Sequence, residues 1–198
     1  MEFPKLVQCL FLKNANMNWK EELISLEQNK NWKPAIELLE KTINDYANNL
    51  DVYLSINYLL MNILVEEDYS QSEHDYYSLL LKKYFDESYI KFYNNPEFLF
   101  FIGKIGCMSE WYFEIEIDEA QNMIKRSLEL EPENILYKWA NYGNLNMSDL
   151  CNREKMIRYA KQALSEPKVE EVLKGKGSLG QYLMEGLYYW YKPDGSDM

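Results

Sequence analysis

Histidine is nearly absent: His74 is the only one in 198 residues. Most zinc and general-base sites need imidazole. No Cys-x-x-Cys pair and no second His stands near His74, so no zinc ligand set assembles locally. Cysteine is scarce as well. Cys9, Cys107 and Cys151 lie far apart and are odd in number, which implies no disulfide framework and suits a reducing cytoplasm. Cations are outnumbered, with 21 Lys and Arg against 32 Asp and Glu, a net charge of −11. That balance speaks against nucleic acid and against an anionic membrane surface as partners, since both need faces rich in Lys and Arg. Long apolar runs are missing. Phe98 to Ile102 is the most apolar stretch; it continues only to Met108 and contains Lys104. A spanning helix needs about 20 apolar residues. The opening MEFPKLVQCLFLK is interrupted by Gln8 and Cys9, and no small-residue cleavage pattern follows, so no signal peptide is expected.

Hydrophobic residues at 47% and aromatics at 15% argue for a folded chain and against disorder. The length fits one domain over 1–198. Six prolines and eight glycines punctuate it sparsely. Asn95-Pro96-Glu97 reads as an N-cap followed by Pro at the first helical position. Pro132 and Pro167 read as helix stops. Ser70 to Glu73, Asp118 to Gln121 and Ser178 to Gln181 have capping-box spacing, and Asn18 to Glu21 is a weaker case.

Apolar positions step with a period of 3.6. Ala120, Met123, Ile124, Ser127 and Leu128 do so, as do Ala35, Leu38, Leu39, Thr42 and Ile43. Only Phe113 to Ile117 alternates like a strand, and its short length makes it a connector. The expected fold class is all-α. A short element is expected at 4–14. Helices are expected at 18–29, 33–48, 51–66, 72–93, 97–113, 118–131, 134–145, 149–165 and 178–191, with successive helices antiparallel.

Four helices share one register of inward positions: Ala35, Leu39, Thr42, Ile43; Leu81, Phe85, Ser88, Tyr89; Ala120, Ile124, Ser127, Leu128; and Met156, Ala160, Ala163, Leu164. The intervals between Thr42, Ser88, Ser127 and Ala163 are 46, 39 and 36 residues. With these residues the chain resembles the tetratricopeptide family, best over Ile117 to Pro132, where a small residue, an apolar one, a small one and then Pro recur. The family's period is about 34 residues, so the spacing here is long. The resemblance implies a helical-hairpin solenoid, with pairs at 18–48, 51–93, 97–131 and 134–165 and a C-terminal capping helix at 178–191.

Gly175-Lys176-Gly177-Ser178-Leu179-Gly180 matches a dinucleotide-binding pattern literally. That motif needs a strand before it and an acidic residue about 20 positions on. Neither is present, so the segment reads as a break before the last helix. Acidic clusters stand at Glu66-Glu67-Asp68, at Glu114 to Glu119 and at Glu129 to Glu133. They fall at helix ends, near water, where no carboxylate is desolvated for acid catalysis. No cofactor, metal site or catalytic set is expected. Seventeen Tyr against eight Phe is lopsided, and some of those phenols must lie at a surface, where Tyr favours protein interfaces.

The family resemblance implies that first helices of each pair line an inner groove. It assigns partner contacts to Asn57, Tyr58, Asn62, Glu66, Glu67, Asp68, Glu110, Tyr137, Asn141 and Asn144. The family's carboxylate clamp uses Lys-x-x-x-Asn, where this chain has Tyr137-x-x-x-Asn141, so a basic protein surface suits the groove better than a peptide carboxylate. In size, acidity and lack of a catalytic set the chain also resembles immunity proteins of contact-dependent inhibition toxins. That resemblance implies a cytoplasmic, non-enzymatic protein that masks a basic toxin domain, such as a nuclease. The alternative is a tetratricopeptide-type scaffold that grips a peptide of a larger assembly.

Overall fold

The computed structural model describes residues 19–191, which form helices and turns with no strand among them. The helices are α1 (19–28), α2 (Trp32–Asp45), α3 (Leu50–Glu66), α4 (Gln71–Phe92), α5 (Pro96–Gly106), α6 (Glu110–Phe113), α7 (Ile117–Leu130), α8 (Ile135–Gly143), α9 (Leu150–Leu164), α10 (Pro167–Lys174) and α11 (Gly177–Tyr191). The all-α expectation holds for these residues. The element expected at 4–14, Cys9 and the Asn18 cap lie outside them.

Local signals explain most boundaries. Ser70 and Glu73 form a full capping box: the Glu73 backbone N–H donates to Ser70 Oγ, and the Ser70 N–H donates to Glu73 Oε2 at 2.9 Å. Asn95 accepts from Phe98 N–H at 3.0 Å, with Pro96 at the first helical position. Four expectations change. Ser178 does not cap the last helix, which already begins at Gly177, and Gln181 donates to Glu185. Asp118 does not cap α7; Glu116 stands at that N-cap and Asp118 lies in the first turn, where its charge meets the helix dipole. Pro167 ends α9 but also starts α10, because a ring-locked φ and a missing N–H cost nothing at a first turn. The helix expected at 97–113 breaks at Cys107–Ser109. The short α6 then re-aims Phe113, whose ring packs 5.1 Å from Phe85 at 72°, and Glu114 (φ 54°) ends it in the left-handed region.

Successive helices pair. α3 lies against α4, α5 against α7, α8 against α9 and α10 against α11, and neighbouring pairs touch through α3/α5, α7/α8 and α9/α11. The shared register faces inward: all its members are buried except Tyr89, Leu128 and Leu164, which are half-buried against the same core. Its hydroxyl position recurs for a physical reason. Thr42, Ser88 and Ser127 each donate to a carbonyl of their own helix, at 2.8, 2.9 and 2.7 Å, so a small side chain is buried with its polar atom satisfied. Close approach matters most between α5 and α7. A Cβ at Gly103 would stand 2.8 Å from Ile124 Cγ1 and 2.9 Å from the Ala120 carbonyl oxygen.

The α10–α11 turn folds back on α1 and α3. Lys176, in the α10–α11 turn, pairs with Asp51 at 2.5 Å and with Glu97, and its side chain is only 8% exposed. Lys20 of α1 also pairs with Asp51, and donates to the Gly175 carbonyl at 2.8 Å. Ser178 Oγ donates to Glu27 Oε2 at 2.5 Å. Gly177 (φ +57°) makes the turn, and a Cβ at Gly180 would sit 1.8 Å from the Leu173 carbonyl oxygen, so the α10–α11 hairpin closes only with glycine there.

Burial alone would raise the Asp51 carboxyl, but the charges and hydrogen bonds of Lys176 and Lys20 outweigh it and hold the group below the ordinary aspartate range. An unfolded Asp titrates near ~3.9. The stabilisation from Asp51 is therefore complete above that pH and is lost as pH falls through the lower folded value. Replacing Asp51→Asn is expected to lower stability by roughly 2 kcal/mol at pH 7, a charged-hydrogen-bond loss. Denaturant melts should show the gap closing as pH falls below the ordinary aspartate range. Gly103→Ala is expected to cost about 1–3 kcal/mol through overpacking, read by the same melts.

Candidate functional site

α11 packs mainly against α9 and α10 and also reaches α3 and α8. Tyr182 lies 6.3 Å from the Tyr58 ring of α3, and Gly186 backs onto Trp139 of α8, where a Cβ would be 3.5 Å from the indole. Beneath it Lys104 of α5 sits 5.4 Å over the Trp139 ring, and burial pulls its ammonium below the ordinary lysine range. The last described helix thus lies on Tyr58, one of the residues to which the family resemblance assigns a partner contact.

Beside α11 a groove of about 700 Å³ stays open between α1 and α3 on one side and α10 and α11 on the other. Trp32, Tyr58, Met184 and Tyr188 form apolar walls, and Glu27, Glu170 and Glu185 supply carboxylates. Lys174 is the one cation lining it, and it is paired with Glu170 at 2.6 Å. Glu185 accepts from Gln181 at 3.0 Å. Burial raises the Glu27 carboxyl above the ordinary glutamate range, and the Ser178 hydrogen bond offsets this only in part. No Lys or Arg among the described residues pairs with Glu27. Burial also pushes the Tyr58 phenol up, aided by Tyr182, Glu27, Glu185 and Glu66, so the field there is negative.

A second groove of about 590 Å³ lies between the α7–α8 turn and the α9–α10 turn. Glu97, Glu131, Glu133 and Glu166 line it with Tyr137 and a single cation, Lys168. Burial raises the Tyr137 phenol, and Glu131 and Glu97 raise it further.

The expected contact residues do not share one face. Tyr58 and Asn62 line the first groove, with Tyr58 itself 8% exposed. Asn57 is fully buried between α3 and α4, where its Nδ2 donates to the Tyr53 carbonyl at 2.8 Å; it has no surface to offer a partner. Glu66 and Asp68 are exposed at the end of α3, whereas Glu67 is held by Lys30 at 2.8 Å. Tyr137 lines the second groove but is 4% exposed, stacked 4.9 Å from Phe100. Glu110 is half-buried at the start of α6, and Asn141 and Asn144 are half-buried at the end of α8. Glu27 and Glu185 were not singled out from the sequence, whereas Tyr188 stands in the aromatic run 188–191, of which some members had to be exposed. Trp19, Leu23 and Glu27 step by four along α1, so a carboxylate at the end of an apolar stripe was a readable signal.

Among the described residues no group of three or more His, Cys, Asp or Glu side chains is placed to hold a metal, and no helix is long and apolar enough to cross a membrane. His74 stands between Tyr69 and Tyr112, with Nδ1 3.2 Å from Asp75. Comparison with protein-family models, with curated proteins and with solved structures finds no match to this chain.

A raised folded pKa means that Glu27 costs stability once ionised, and the cost grows as pH rises through the unfolded value near ~4.3. Replacing Glu27→Gln is therefore expected to leave stability at pH 7 unchanged or slightly higher. A thermal melt checks this; a clear loss would mean that the carboxylate is structural.

Proposed function

We propose that this chain is a non-enzymatic protein-binding module whose partner is basic. The observation that carries the reading is the first groove: aromatic walls and carboxylates, one of which is half-buried with no cation beside it among the described residues. Such a carboxylate is left poised for an incoming Lys or Arg, and the aromatic faces give the same cation a second attraction. Tyr188 is 52% exposed at the groove, and Tyr and Trp anchors at an interface bury much area at little entropy cost. The surplus of acidic charge over the whole chain would steer a basic partner into the encounter.

The most concrete form of this reading is an immunity protein that neutralises a basic bacterial toxin domain, such as a nuclease, by masking its cationic active site in the cytoplasm. Acidity, size and the absence of an expected catalytic set support it. The architecture is read as a tetratricopeptide-like array of helix pairs, supported by the inward register and by the small residues at pair contacts. A second reading, a scaffold that grips one peptide, has the same stacked pairs on its side.

Affinity capture from the producing cell, followed by kinetics at several salt concentrations, separates these readings. For a basic toxin domain, association should slow steeply with salt. Glu27→Lys combined with Glu185→Lys should slow association at least tenfold at low salt and abolish rescue of cells expressing that domain. Capture of a short peptide, with little salt dependence, would contradict the immunity reading and support the scaffold.

A further inference from the structure

The outer side of α4 carries a stripe that no other described residue covers. Tyr76, Leu79, Ile90 and Tyr93 are 49, 71, 76 and 50% exposed. Between them on the same side stand Lys83 and Asp86, both exposed. The six positions are separated by 3, 4, 3, 4 and 3 residues. That is an a/d seam sustained over about 26 Å of helix, the pattern that packs one helix against another by knobs into holes.

The order of residues along the seam says what would cover it. In an antiparallel pair of identical helices each a position meets a d position of the other, so the first of the six layers with the last, the second with the fifth and the third with the fourth. On α4 this matches Tyr76 with Tyr93, Leu79 with Ile90 and Lys83 with Asp86. Aromatic meets aromatic, aliphatic meets aliphatic, and opposite charges meet at the centre. A parallel pairing would instead set Lys83 on Lys83 and Asp86 on Asp86, which like-charge repulsion opposes. We propose that two copies of this chain associate through an antiparallel, two-fold symmetric α4–α4 seam, with the Lys83–Asp86 layer made twice about the axis.

The rest of the site accommodates this. Lys83 lies 4.5 Å over its own Tyr84 ring and donates to that phenol at 3.2 Å, which leaves its remaining donors for a second acceptor. Asp86 accepts from Lys82 at 2.6 Å through Oδ1, and Oδ2 makes no intramolecular bond among the described residues. A dimer would place each Asp86 between Lys82 of its own copy and Lys83 of the other. The apolar layers are short, so the interface falls in the weak, concentration-dependent class and not among obligate dimers. No α4 residue lines either groove, so the inference stands apart from the binding function proposed above.

Sedimentation equilibrium of the full chain from about 1 to about 300 μM tests the seam, spanning the range expected of small interfaces. The weight-average mass should rise from 23.7 kDa toward twice that value. Leu79→Glu with Ile90→Glu, at exposed positions, should hold the chain monomeric without lowering its melting temperature. Lys83→Glu alone should weaken the dimer at least tenfold, and adding Asp86→Lys should restore it. In a background with the native cysteines replaced by serine, Leu79→Cys with Ile90→Cys should cross-link two chains on oxidation while Leu79→Cys alone does not. The two positions are about 16 Å apart on one helix, too far for a bridge within a chain. A chain monomeric at every concentration, a dimer indifferent to the double glutamate variant, or cross-linking by Leu79→Cys alone would overturn the proposal.

Discussion

The arrangement of the described residues depends on one ion cluster that joins α1, α3 and α5 to the α10–α11 turn. Lys176 is almost wholly removed from water and is held by Asp51 and Glu97, and Lys20 shares Asp51 from the other side. A lysine so placed needs the carboxylates beside it, because an uncompensated buried charge is far costlier than the pair is favourable. Through that cluster the α10–α11 hairpin lies on α1 and α3, over 100 residues away in sequence. Remove it and the first groove loses a wall, since Glu170, Gln181, Glu185 and Tyr188 come from the hairpin while Glu27, Trp32 and Tyr58 come from the opening helices.

The closure also shapes the first groove. α11 meets Tyr58 of α3 and Trp139 of α8, and the cleft beside it stays open. Its walls are apolar and its Glu27 carboxylate is only partly solvated, which strengthens that group's attraction for a cation compared with the same charge on an open face.

Much of the fold was legible in the sequence, because helical period and end signals are local. The register running from Ala35 to Leu164 faces the core as its 3.6-residue spacing required, and Ser70 and Asn95 cap the helices they precede. The break after Gly106 was not legible. Apolar period continues through Cys107 to Phe113, and only the demand of Phe85 for a ring partner from α6 redirects the chain. The helix at Pro167 was half legible: the same residue that stops one helix opens the next. Less of the site could be read. Asn57 looked like a groove residue by its place in a first helix, yet it faces α4, since one side of α3 must bury itself there. Glu27 and Ser178 meet across 151 residues, a contact that no local pattern announces.

Under the proposed function the first groove receives a positive charge from a partner. Glu27 reports on it directly, because its carboxyl is raised by burial in the free protein and a cation seated beside it would stabilise the ionised form. Carboxyl-carbon NMR titration of Glu27, in the free chain and with its captured partner bound, measures this. The expected result is a titration above the ordinary glutamate range when free and a clear downward shift in the complex. A Glu27 titration that is ordinary in the free chain, or unmoved by the partner, would contradict it.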